Sequence, residues 1–208
     1  MRIQTIYIAL LSENCYVLET ENSAIVVDPG RVTPALKEAI ERIKGKNTLV
    51  LLTHCHFDHI AGAEKAAEML GAKIAIGEQE ADALLDDDIT LCTRFHLPEN
   101  KRKADITLAD GEEYTVGDIT FKVLHTPGHT EGSCCYLFGD VLVSGDTLFE
   151  QNVGRTDLKA GDPEKMKNSL ARLSKLPDNT RVLSGHGGAT TIGQEKQNNV
   201  YMKRAMDK

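Results

Sequence analysis

Apolar and polar positions alternate with period two over "RIQTIYI" (2–8), "CYVLE" (15–19) and "AIVVD" (24–28). The alternation and the β-branched residues predict three strands, the last two joined by the polar turn "TENS". "DPG" at 28–30 ends that run, and "TPALKEAIERIKG" changes to helical spacing. Thr33 stands as N-cap and Pro34 at the first helical position. Leu36, Ile40 and Ile43 share one face, and Gly45 closes the helix. "TLVLLT" (48–53) is apolar throughout, the mark of a strand covered on both sides. A helix is expected over "DHIAGAEKAAEML" (58–70), then a buried strand over "AKIAIG" (72–77).

Residues 82–105 are irregular and rich in charge, and suggest a helix plus an excursion near the strand ends. The second half resumes with the strand "ITFKVLHT" (119–126) and a hairpin, "CCYLF" and "VLVSGD", turned at Gly139-Asp140. A helix capped by Asp162 and started by Pro163 follows, then the strand "TRVLSGHGG" (180–188) and a closing helix over 193–206. Strands with interleaved helices in both halves, and no linker between them, predict an α/β (α+β) chain. The expected architecture is one domain over 1–208, a four-layer αββα sandwich with helices outside two sheets.

The 208 residues suffice for a sizeable core, and 41% of them are apolar. No apolar run is long enough to span a bilayer. The N-terminus alternates like a strand and lacks the form of a signal peptide, so it reads as part of the mature chain. Five cysteines, an odd number with no C-x-x-C pair, suit free thiols in a reducing cytoplasm. The net charge is −7 and the longest basic run is "KRK" at 101–103, which argues against nucleic acid or anionic membrane as partner.

The chemistry concentrates in "LTHCHFDHIAGA". His54 and His56 are two apart, so on extended backbone they point the same way. Asp58 and His59 come where a helix begins and turn to another side. Cys55 and Phe57 alternate away from the histidine pair, which leaves Cys55 without a nucleophile's companions. Four polar groups at the end of a buried strand would be costly without a partner. Three further groups, His129 in "TPGHTEG", Asp146 in "VSGDTLF" and His186 in "LSGHGG", also follow strands and neighbour glycines. Seven donors exceed what one tetrahedral zinc uses, and they suffice for two ions if one carboxylate bridges.

With H-x-H-x-D-H followed by His, Asp and His in order, the chain resembles the metallo-β-lactamase superfamily over nearly its whole length. The resemblance implies that His54, His56 and His129 hold one ion, that Asp58, His59 and His186 hold a second, and that Asp146 bridges them. The ions would be divalent, zinc first, with iron or manganese taking the same donors. Asp28 in "VVDPG" matches a further motif of the family and is either a partner of the metal-binding imidazoles or a turn carboxylate.

"GDTLFEQNVGRTDLKAGD" and "GHGGATTIGQEK" look like the short glyoxalase II-like hydrolases, similar to hydroxyacylglutathione hydrolase. Only 22 residues follow His186, too few for the helical extension that contacts glutathione in full glyoxalase II. The expected function is therefore hydrolysis of a small-molecule acyl thioester, with Asp58 and Asp146 orienting a water activated by two ions. Persulfide dioxygenase, which uses one iron, looks similar around "THCH" and "GRTD" and is the nearest alternative. β-Lactam hydrolysis and a non-catalytic metal scaffold stand further off. Arg155 in "GRTD" is either a substrate contact or an ion pair with a carboxylate such as Asp157. Lys101, Arg102, Lys103 and Lys159 either meet an anionic carrier or form a solvated face. His125 is either a second support of the site or a structural imidazole, and His96 is expected to be exposed.

Overall fold

The computed structural model describes residues 1–97 and 99–207. β1 (Arg2–Ile8), β2 (Glu13–Glu19), β3 (Ser23–Val27), β4 (Asn47–Leu52), β5 (Lys73–Gly77) and β6 (Ile106–Leu108) form one sheet in that order. Its first three strands pair antiparallel and β3 to β6 run parallel. The second sheet has the order β12 (Thr190–Thr191), β11 (Arg181–Ser184), β10 (Val141–Gly145), β9 (Cys134–Phe138), β8 (Ile119–His125) and β7 (Glu113–Val116).

Period-two alternation within buried strands divides their side chains between two cores. Leu49 and Leu51 of β4 meet Phe121, Tyr136 and Val143 between the sheets. Val50 and Leu52 face the other way, toward α1 (Pro34–Ile43) and α3 (Ala63–Leu70). On the far side α5 (Pro163–Leu173) and α7 (Val200–Met206) bring Met166, Leu170 and Met202 against Leu142 and Val182. This is the expected αββα sandwich, and burial on both faces explains why "TLVLLT" carries no polar alternation. α1 begins as expected: Thr33 Oγ1 accepts from the Leu36 N–H at 3.2 Å and Pro34 follows the cap.

Four features differ from the sequence expectation. The helix expected over 58–70 is two, the single turn α2 (Phe57–Ile60) and α3. They part at Gly62, whose N–H donates to the Pro29 carbonyl at 2.9 Å and where a Cβ would lie 2.5 Å from that oxygen. The closing helix is likewise two, α6 (Ile192–Asn198) and α7. Asn199 divides them: its Oδ1 caps α7 at the Tyr201 N–H, while its Nδ2 donates to Glu195 and to the Asn152 carbonyl. Among the described residues of 82–105 the expected helix is only the single turn α4 (Asp87–Thr90), with short turns at Ala83–Leu85 and Thr93–Phe95 on either side; residue 98 lies outside the described residues. Finally, β6, β7 and β12 are additional strands of 3, 4 and 2 residues, too short for a periodic signal. Among the described residues no helix is long and apolar enough to cross a membrane. All five cysteines are buried free thiols.

Candidate metal centre

The parallel strands β3 and β4 end together, and the chain beyond each carries polar groups to the same sheet edge. Asp28 leaves β3 with φ 48, a left-handed conformation rare outside glycine and tolerated where surrounding bonds hold it. Those bonds are specific. The Thr53 N–H donates to Asp28 Oδ1 at 2.7 Å and the Thr53 hydroxyl to Oδ2 at 2.6 Å. His59 Nδ1–H donates to the same Oδ2 at 3.0 Å. Because the Thr53 proton is committed to Asp28, its oxygen accepts from His54 Nδ1–H, also at 3.0 Å. Asp28 thus orients His59 directly and His54 through Thr53.

His129 and His186 are held by backbone. His129 Nδ1–H donates to the Arg155 carbonyl at 2.8 Å, and His186 Nδ1–H to the Ser12 carbonyl at 2.6 Å. In each of these four histidines the Nδ1 is engaged by the protein and Nε2 is turned toward the cluster, the usual orientation of a metal-ligating imidazole. His56 is the exception, since its Nδ1 faces His129 Nε2 at 2.8 Å.

The donor atoms gather into overlapping groups: His54, His56 and His129; His54, His59 and Asp146; Asp58, His59 and His186. Asp146 joins them. Its Oδ1 is 3.4 Å from His59 Nε2, and its Oδ2 is 3.5 Å from both His129 Nε2 and His186 Nε2. His186 Nε2 is 3.4 Å from Asp58 Oδ2. Two donors on one tetrahedral ion, each about 2.0–2.1 Å from it, stand about 3.3–3.4 Å apart. The spacings match that pattern. Among the described residues, the cluster atoms His54 Nε2, His56 Nε2, His59 Nε2 and Asp146 Oδ1 are buried without a hydrogen-bond partner. Buried polar atoms without partners are costly, so the donor set fits a cation. The sequence brings all seven of its candidate donors here, and Asp28 behind them.

Charge in the cluster is uneven. Burial, reinforced by His59 and His129, holds the His54 imidazole well below its ordinary value. Burial and His129 push His56 down to about 3. Burial also opposes the charged form of His59, yet Asp146, Asp28 and Asp58 together raise it well above the ordinary range. His186 is raised to about 10, burial being outweighed by bonds to Asp146 and Asp58. Burial disfavours the ionised forms of Asp58 and Asp146, but His59 and His186 overcome it and both are lowered. Close by, burial raises the carboxyl of fully buried Glu13 well above its ordinary range, and neither of its oxygens has a partner.

Gly154 and Gly185 allow this density. A Cβ on Gly185 would lie 2.2 Å from Asp146 Oδ1 and 2.7 Å from His59 Cε1, and one on Gly154 only 1.9 Å from the Asp146 carbonyl oxygen.

A cavity of about 350 Å³ opens over the cluster, with His56, Asp58, His129, Asp146 and His186 on its lining. Phe57, Leu91, Phe95, Phe149 and Leu158 supply apolar surface, and Phe57 stacks on Phe95 with ring centroids 4.0 Å apart. Arg94 and Arg155 also line it. The Arg155 side chain is exposed and paired with Asp157 at 2.7 Å, so the ion-pair alternative describes its present contact, while its carbonyl steadies His129. Lys159 is paired with Asp86 and Asp88 across the neighbouring loops, and Arg102 with Asp105. His125 Nε2–H donates to the Glu131 carbonyl, a structural contact, and His96 is exposed. Cys55 is buried in the outer core, and burial and Glu80 raise its thiol well above the ordinary range, so it is no nucleophile.

Sequence reasoning missed Thr53, Glu80, Arg94 and the Ser12 carbonyl. Only Thr53 left a signal, a polar residue closing an apolar strand. The others depend on contacts made over long sequence separations.

A family model of the metallo-beta-lactamase superfamily matches residues 8–186. The chain belongs to that superfamily. Among its relatives, hydroxyacylglutathione hydrolase GloC of Haemophilus influenzae is 33% identical, with 97% of this chain and 98% of the relative covered. The solved structure of BLEG-1, a B3 metallo-beta-lactamase, is 35% identical with a TM-score of 0.88, covering 97% of this chain and 99% of that one. TTHA1623 in a di-iron-bound form is 32% identical with a TM-score of 0.82, over 95% and 99% of the two chains.

Proposed function

We propose that this chain is a dinuclear metal-dependent hydrolase of acyl thioesters. The observation that carries the reading is the position of Asp146, whose carboxylate reaches donors of both half-sites. One half-site is His54, His56 and His129; the other is Asp58, His59 and His186; Asp146 is shared. The similarity to GloC, a hydroxyacylglutathione hydrolase, supports a thioester as substrate. Zinc suits the imidazole-rich donors, and iron, as in the di-iron form of TTHA1623, suits them too.

Two divalent ions held there would supply Lewis acidity, lowering the pKa of a bound water and polarising a carbonyl oxygen. The chain's own residues do the rest. Asp58 and Asp146, held ionised by their histidine neighbours, accept hydrogen bonds from the attacking water and aim it. Asp28 and Thr53 fix the His54 and His59 rings so that no reorganisation is needed as charge develops. Phe57, Leu91, Phe95 and Leu158 pack the apolar part of the substrate and exclude bulk water. A thiol leaves readily, with a pKa of about 8.5, so no dedicated general acid is required.

The test is a panel of thioesters, S-D-lactoylglutathione and non-glutathione carriers included, given to protein of measured metal content. Metal-dependent thiol release supports the reading. Turnover of a chromogenic β-lactam in preference to every thioester would replace it with the activity named for BLEG-1.

A further inference from the structure

Among the buried acids outside the donor set, Glu80 is one that the proposed reaction does not use. Glu80 follows β5 in a short turn, Glu78–Glu80, and is fully buried. Its Oε1 accepts the Cys55 N–H at 2.9 Å and its Oε2 accepts the Gly132 N–H at 2.9 Å. Cys55 sits between His54 and His56. Gly132 is three residues beyond His129 on the loop from β8 to β9. The two loops belong to different sheets, so one carboxylate ties together the backbone segments that carry His54, His56 and His129. The fit is close: a Cβ on Gly132 would lie 2.3 Å from the Glu80 nitrogen. A second bond, from the Cys134 N–H to the Thr53 carbonyl at 2.9 Å, closes the same junction. Among the described residues no lysine, arginine or histidine pairs with Glu80.

A buried carboxylate with no cationic partner is expensive unless it performs a structural task that neutral residues do not, or faces a charge supplied from elsewhere. We infer that Glu80 is a positioning residue for the His54–His56–His129 half-site, setting the spacing of its three nitrogens by joining their two loops. This rests on the dinuclear reading above. Glutamine at position 80 is nearly isosteric, but its amide offers an acceptor to only one N–H and turns a donor toward the other. The half-site containing Asp58, His59 and His186 has no bond to Glu80.

The experiment titrates metal-free wild type, Glu80→Gln and Glu80→Asp with cobalt(II). Visible absorption reports each binding step, and paramagnetically shifted imidazole N–H resonances count the histidines on each ion. The expected result is a loss of about 10–100-fold in affinity at the three-histidine step in Glu80→Gln, with the other step unchanged and partial recovery in Glu80→Asp. Equal affinity of Glu80→Gln and wild type at both steps would overturn the inference, as would an equal loss at both steps, which marks general destabilisation. Wild type that binds no cobalt would instead overturn the dinuclear reading itself. Should Glu80→Gln not fold, amide hydrogen exchange in the wild type decides. Protected Cys55 and Gly132 amides support the clamp, and rapid exchange at either one refutes it.

Discussion

His56 Nδ1 and His129 Nε2 face each other at 2.8 Å across two loops, 73 residues apart in sequence. Two protonated rings cannot hold that arrangement, and His56, pushed down to about 3 by burial and His129, gives up its charge. His54, lowered by burial, does the same. His59 and His186, surrounded by carboxylates, keep theirs. In the metal-free protein His54 and His56 therefore start neutral, and His59 and His186 start charged.

Metal loading at pH 7 should expose this difference. An ion entering at His54 and His56 meets neutral rings and displaces no proton from them. An ion entering at His59 and His186 must displace about two. Stepwise titration in weak buffer with an indicator dye checks it. Equal proton release in both steps would contradict the assignment.

The stability of the metal-free protein should respond to pH on both sides. His56 is depressed from 6.5 to about 3, so its contribution is present above 6.5 and is lost as pH falls toward 3. His186 is raised from 6.5 to about 10, so its contribution is complete below 6.5 and is lost as pH rises toward 10. His186 is about one-quarter exposed, and solvent screening softens the alkaline effect. Thermal unfolding should be highest near pH 6–7 without metal. Bound ions, which take the place of the protons, should remove the alkaline decline. An unchanged alkaline limb after loading would count against ligation by His186.

Asp58→Ala should leave the His54–His56–His129 half-site in place and weaken the other. We expect metal content near one ion per chain and turnover reduced on the order of 10²-fold. Elemental analysis beside kinetics checks both. Unchanged metal content and turnover would remove Asp58 from the site.

Much of this was legible in the sequence, and the reasons are physical. The buried strands declare themselves by continuous apolar runs, and α1 and α5 by cap residues, because both are local effects. The seven donors stand out because polar groups at the ends of such strands need partners. The breaks at Gly62 and Asn199 were not legible, since each is made by contacts with distant backbone, Pro29 in one case and Asn152 in the other. Glu80 lies in an acid-rich stretch that reads as surface until the fold brings Cys55 and Gly132 to it. The sequence left two readings of Asp28; the fold adds its bonds to Thr53 and His59.

Gly185→Ala tests how tightly the centre is packed. The added carbon would press on Asp146 and His59, the two side chains closest to it. Displacements near 1 Å at a reacting centre cost on the order of 10²-fold. We expect that loss in turnover and reduced metal retention, with the circular dichroism spectrum preserved. Wild-type metal content and turnover would show that the loop yields without cost.

Thioester turnover followed as metal is restored to metal-free protein tests most directly whether two ions are needed for hydrolysis. Thiol release should rise until about two ions per chain are bound and then level off, with the free acid as the other product. One iron per chain, oxygen uptake on a persulfide, and no thiol released from any thioester would contradict dinuclear thioester hydrolysis.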